Sequence, residues 1–273
     1  MIAVELSKML RSRRTWVTIA VIDALPSLVA VLLSLTEIAP RPGTGPAFLS
    51  AVLNDGDLYP LAAVAIVLPL FLPAAVAITA GDAIAGEAQQ GTLRYVLVRP
   101  VGRTRLLVAK LVSVIAFVLL TLLVVAATGF VLGSLLLGHG DTASTVPITT
   151  FSGTTLTTAQ LIQRTALALV YALLSMLGVA SVALFLSTVV RSPLAAAMGT
   201  LALLIGSTLL LSLDAAHVIR PYLVTRYWLA FVDLFRDPIL WHDVVRGVLL
   251  QAGYVVVFLA AAWANFVTKD ITD

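Results

Sequence analysis

Leu61-Ala-Ala-Val-Ala-Ile-Val-Leu-Pro69-Leu-Phe-Leu-Pro73-Ala-Ala-Val-Ala-Ile-Thr-Ala80 is an apolar run without alternation of polar and apolar residues. A membrane β-strand would change character at every second position, whereas about 20 consecutive apolar residues suit a helix that crosses a bilayer. The run from Leu194 to Leu211 reads the same way. Of the 273 residues, 60% are hydrophobic and 11% charged, far below the roughly 25% charged residues of soluble domains. The mean hydropathy is +1.05. Apolar stretches of sufficient length fall at 17–38, 61–80, 106–137, 162–190, 194–213 and 244–266. The expected fold is an all-α integral membrane protein: one domain over 1–273 with six transmembrane helices.

Directly after the quoted run comes Gly81-Asp-Ala-Ile-Ala-Gly-Glu87-Ala-Gln-Gln-Gly91-Thr92-Leu93-Arg94, which continues through Arg99-Pro100-Val-Gly-Arg103-Thr-Arg105 to Lys110. Gly91 is expected to interrupt a helix descending from the second span, and Thr92 to cap a short helix over 93–98. Pro100 then ends that helix and Thr104 starts the next. Such a helix carries Arg94 and Arg99, has Leu93 and Leu97 as an apolar foot, and is flanked by Glu87 and Arg103. Held crosswise at a membrane face, it can transmit a push from a soluble partner. A solvated loop that only sets orientation is the plainer reading of the same residues.

Orientation follows from where the cations sit. Lys8, Arg11, Arg13 and Arg14 precede the first span; Arg94, Arg99, Arg103, Arg105 and Lys110 follow the second; Arg191 and Lys269 follow the fourth and sixth. Eleven of the 17 Lys and Arg therefore share one side, which the positive-inside rule assigns to the cytosol together with both termini. The location expected is the cell membrane, with the charged start leading into an uncleaved anchor.

Residues 1–14 read as an interfacial helix, with Ile2, Leu6, Met9 and Leu10 on one side and Glu5, Lys8, Arg11 and Ser12 on the other. Trp16 follows at headgroup level. The outer segment 39–60 is rich in Pro and Gly, and 138–160 is rich in Thr and Ser. The outer segment 214–243 is aromatic: Trp228, Phe231, Val232 and Phe235 share a helical face opposite Asp233 and Asp237. That pattern fits either a helix half-sunk in the interface or a re-entrant helix at an exit vestibule.

Several chemistries are excluded. The lysines Lys8, Lys110 and Lys269 follow Ser7, Ala109 and Thr268, so no Gly-Lys-Ser/Thr phosphate loop exists. The chain is expected not to be an enzyme and to bind no cofactor, metal or nucleic acid. Cysteine is absent, and His139, His217 and His242 are scattered without ligand spacing. Gly-x-Ser-x-Gly and His-Glu-x-x-His are absent too. Asp23 lies well inside the first span, where an ionised Asp costs about 2.5–3.5 kcal/mol on insertion scales. It is expected either to bond a neighbouring Ser or Thr or to contact cargo or an ion. Pro26, Pro69 and Pro73 can kink their spans.

The insert resembles the cytosolic loop of ABC transporter permeases of the ABC-2 class, which runs Glu, three residues, Gly-Thr-Leu, then Pro, a small residue, Arg and a later Lys. Glu87, Gly91-Thr92-Leu93, Pro100-Val101, Arg103 and Lys110 match; Val96 replaces the usual Leu and Gly102 the usual Ser. The resemblance implies a six-span exporter half that pairs with a second half, and ATP and Mg held on separate nucleotide-binding ATPase subunits. It also implies that 81–105 is the coupling loop, with Glu87, Gly91, Thr92, Leu93, Arg94, Leu97, Arg99, Pro100 and Arg103 as contact residues. Ala195 and Gly199 would permit close helix approach between halves. Apolar walls favour a lipophilic or amphipathic cargo such as a drug, lipid or peptide, with Asp23, Trp228, Phe231 and Phe235 along the pathway. An ion-coupled carrier using Asp23, or a membrane scaffold or sensor, are the other classes open on sequence.

Overall fold

The computed structural model describes residues 1–36, 56–91, 102–137, 148–149 and 155–268. The helices in chain order are α1 (Ile2–Arg11), α2 (Arg13–Thr36), α3 (Tyr59–Val67), α4 (Phe71–Gln89), α5 (Arg103–Leu132), α6 (Thr158–Val189), α7 (Pro193–Ser212) and α8 (Trp241–Thr268). The described strands are Ile148–Thr149 and Thr155–Leu156, an antiparallel pair with Ile148 opposite Leu156. Six helices are long and apolar enough to cross a membrane, from Arg13–Leu35 to Trp241–Thr268.

The second span differs from its expected 61–80. The helix is interrupted by a turn at Leu68–Leu70, and the span-length helix is Phe71–Gln89. Pro69 has no amide hydrogen, and its ring would strike the carbonyl four residues earlier, so α3 stops. Pro73 falls in the first turn of α4, where an amide needs no helical partner. The shift carries Asp82 and Glu87 onto the foot of a span. Gly91 then takes φ 69°, the left-handed conformation that ends α4 as expected. Pro26 behaves otherwise: α2 runs on through it, and the Pro26 carbonyl accepts the Tyr59 hydroxyl at 2.5 Å.

α6 is the hub. It packs against α4, α5, α7 and α8, and α4 packs in turn on α5 and α7. Ser187 of α6 enters the α4 ladder, donating to Gly81 O at 2.7 Å and accepting from the amides of Ile84 and Ala85 at 3.1 and 2.9 Å. Gly199 is used inside the chain, since a Cβ there would lie 3.1 Å from Leu186 of α6.

Segment 214–243 forms short 3-10 turns at Asp214–Ala216, Arg220–Tyr222 and Ala230–Phe235, so the 228–235 stripe lies on a 3-10 turn and not on an α-helix. Its carbonyls find partners on the spans: Tyr171 donates to Tyr227 O at 2.6 Å, Gln251 to Val224 O at 2.8 Å and Tyr254 to Tyr222 O at 2.9 Å. Three residues per turn align Phe231 with Leu234, so Leu234 is buried and Val232 only partly. Gly247 permits this docking, because a Cβ there would lie 1.9 Å from the Tyr171 hydroxyl and 2.9 Å from Tyr227 Cβ. Gly247→Ala is expected to destabilise the detergent-solubilised protein by about 1–3 kcal/mol, as overpacking does; an unchanged thermal midpoint would contradict this packing.

Candidate functional site

The feet of α1, α4 and α5 meet around Lys110. A buried lysine two turns into a helix that carries no acid must keep its charge satisfied from elsewhere, because an unpaired buried charge costs several kcal/mol. Its side chain is 5% exposed. Lys110 Nζ donates to Glu5 Oε2 of α1 at 3.0 Å and also contacts Glu87 Oε1 of α4. Glu87 accepts a second bond from Lys8 at 3.2 Å, and Arg14 at the start of α2 pairs with Asp82 at 2.9 Å. The cluster alternates in sign and ties α1 to both helices that border the insert.

This pairing sets the orientation of α1. Its charged side turns Glu5 and Lys8 towards α4 and α5, and Met9 is buried beside them. The apolar Ile2 and Leu10 are exposed instead. The Trp16 indole donates to Leu10 O at 2.8 Å and fixes the corner between α1 and α2.

The far end of the insert is anchored separately. Arg103 donates to the carbonyls of Phe266 and Val267 at 3.3 and 2.7 Å, at the C-terminal end of α8. A cation is favoured there by the helix dipole. α5 starts at Arg103 behind Gly102 rather than behind a Thr104 cap, and the Thr104 hydroxyl accepts from the Trp263 indole at 3.0 Å. Thr92, Leu93, Arg94, Leu97, Arg99 and Pro100 lie outside the described residues.

The other sequence candidates stand apart from this cluster. Asp23 is half-buried between α2 and α5, where the Thr128 hydroxyl donates to its Oδ1 at 2.6 Å. Trp228, Phe231 and Phe235 are buried in the segment joining α7 to α8, at the end opposite the insert. Burial raises the Asp233 carboxyl above its ordinary value; the neighbouring Arg236 opposes this and Asp243 adds to it. Among the described residues, no group of His, Asp and Glu is placed to hold a metal ion. Sequence reasoning missed the pairing of Glu5, Lys8, Asp82 and Arg14. The available signal was Lys110 itself, a charge inside an apolar helix with no acid on its own span.

The fold defines a helical protein with six segments suited to crossing a membrane. A family model described as Protein of unknown function (DUF2705) matches residues 28–272, and the chain belongs to that family. It is also 27% identical over 203 residues to Uncharacterized protein YhcI of Bacillus subtilis (strain 168), a match covering 72% of this chain and 63% of that protein. The chain thus aligns with less than two thirds of that relative's length.

Lys110→Met leaves Glu5 and Glu87 facing each other without their shared cation. The variant is expected to lose about 3–5 kcal/mol of stability and to release α1. Faster tryptic cleavage after Lys8 and Arg11 in the folded protein would report that release; wild-type cleavage rates would show that the cluster does not hold α1.

Proposed function

We propose that the chain is the membrane-spanning half of an ATP-driven exporter of the ABC-2 type. It works with a second such half and with separate nucleotide-binding ATPase subunits that hold ATP and Mg. One observation carries this reading: both borders of segment 92–101 are anchored, Glu87 to Lys8 and Lys110, and Arg103 with Thr104 to the end of α8. Force applied to the segment reaches α1, α4, α5 and α8 instead of being lost in slack ends. The resemblance of Glu87, Gly91-Thr92-Leu93, Pro100 and Arg103 to a coupling loop supports the same reading.

In this proposal residues 92–98 form the coupling helix, both termini are cytosolic, and the location is the cell membrane. α1 lies at the interface with its exposed Ile2 and Leu10 towards lipid. Segment 214–243 is re-entrant. Its Val224 and Tyr222 carbonyls are held by Gln251 and Tyr254, which lie about 15 and 20 Å along α8 from Trp241 at ~1.5 Å per residue. Non-helical backbone at such depth is tolerated where protein supplies its partners. Trp228, Phe231 and Phe235 are buried, so a role for them at an exit requires this segment to move. The cargo is lipophilic or amphipathic. The Thr128 bond gives Asp23 a structural occupation, which weakens the ion-coupled alternative.

The test is purification of the tagged chain from its native membrane. A soluble P-loop ATPase is expected in near-equal amount, and Arg94→Glu with Arg99→Glu should reduce that recovery at least about tenfold, as loss of charged contacts at a coupling surface would. Transport that survives ATP depletion but collapses with the proton gradient would overturn the proposal in favour of a carrier.

A further inference from the structure

A half-open cavity of about 240 Å³ lies between α1, α2, α4 and α5 beside the Lys110 cluster. It is far larger than the roughly 10–15 Å³ that one water needs. Only 11% of the chain is charged, yet three cations and three anions line this one space: Lys8, Arg14 and Lys110 with Glu5, Asp82 and Glu87. Its deeper wall is apolar, formed by Val114 and Phe117, and Ile78 lines it as well. The cavity therefore combines a balanced charged portion with a greasy one.

The charges divide by exposure. Lys110 is sealed in, whereas the side chains of Lys8 and Arg14 are 66% and 63% exposed and that of Asp82 is 36% exposed. Exposed ion pairs of this kind contribute little to stability, so they can be exchanged for a ligand that offers both signs. We propose that the cavity binds the headgroup of a zwitterionic phospholipid of the phosphatidylethanolamine type, from the leaflet on the α1 side. Arg14 and Lys8 take the phosphate, for which the guanidinium fork is suited. Asp82 takes the ammonium that follows it.

A purely anionic headgroup would leave Asp82 against the phosphate, and a purely cationic one would leave Arg14 unmatched. The acyl chains have a route out: α2 packs mainly on α3 and α5 while α4 packs on α6 and α7, so Arg14–Asp82 bridges a thinly packed gap between α2 and α4. Ile78 of α4, which lines the cavity, is itself exposed, and so are Val17 and Val21 on α2. The proposal requires only that the chain crosses a bilayer and is independent of any ATPase.

Native mass spectrometry of the full chain in detergent, offered phosphatidylethanolamine or phosphatidylglycerol, tests it. The wild type is expected to retain one phosphatidylethanolamine, roughly tenfold in preference to phosphatidylglycerol. Arg14→Gln and Asp82→Asn should each abolish that preference, while Arg13→Gln, which removes a neighbouring charge that does not line the cavity, should keep it. Thr18→Leu fills the cavity without touching an ion pair, and is expected to lose the lipid even if a charge variant fails to fold. Retention unaltered by Arg14→Gln and Thr18→Leu, equal loss in Arg13→Gln, preference for phosphatidylglycerol, or displacement by excess inorganic phosphate would each overturn it.

Discussion

Every backbone amide and carbonyl in an apolar slab needs a partner within the protein, because lipid supplies none. Helices meet that demand internally, and the structure is most informative where they do not. Tyr59 serves the carbonyl of Pro26; Tyr171, Gln251 and Tyr254 serve the 3-10 turns between α7 and α8; Arg103 serves the last carbonyls of α8. Many polar side chains that a pathway hypothesis would claim are thus already committed to main-chain atoms. Asp23 is engaged by a side chain instead, the Thr128 hydroxyl.

The same logic governs charge at the foot of the bundle. Lys110 is held by Glu5 from the first helix and Glu87 from the fourth, so residues far apart in sequence form one electrostatic unit. Replacing such a cluster with well-packed apolar side chains need not destabilise a protein, whereas removing one member does. The cluster therefore acts more as a specifier of arrangement than as a source of stability. It determines which side of α1 faces the protein.

The spans were legible because composition and length suffice: the runs at 106–137, 162–190, 194–213 and 244–266 correspond closely to α5 through α8. The second span was displaced because hydropathy registers how apolar Leu68-Pro69-Leu70 is and not the lost amide of Pro69. Gly91 was readable since its backbone freedom is a local property. The aromatic stripe at 228–235 reads as an α-helix because periodicity assumes 3.6 residues per turn, while tertiary bonds from α6 and α8 favour the tighter 3-10 form. The partners of Lys110 were unreadable for a different reason. Ion pairing depends on which helix feet converge, and Glu5, Lys8 and Glu87 are all polar residues at span borders whatever the topology.

Ser187 adds a mechanical consequence. Its hydroxyl sits between Gly81 O and the amides of Ile84 and Ala85, so α6 is bonded directly to the main chain of α4. The helix itself is uninterrupted from Phe71 to Gln89, and this tie to α6 lies just before the turn that bears Glu87. Tilting of the end of α4 is thereby geared to the position of α6.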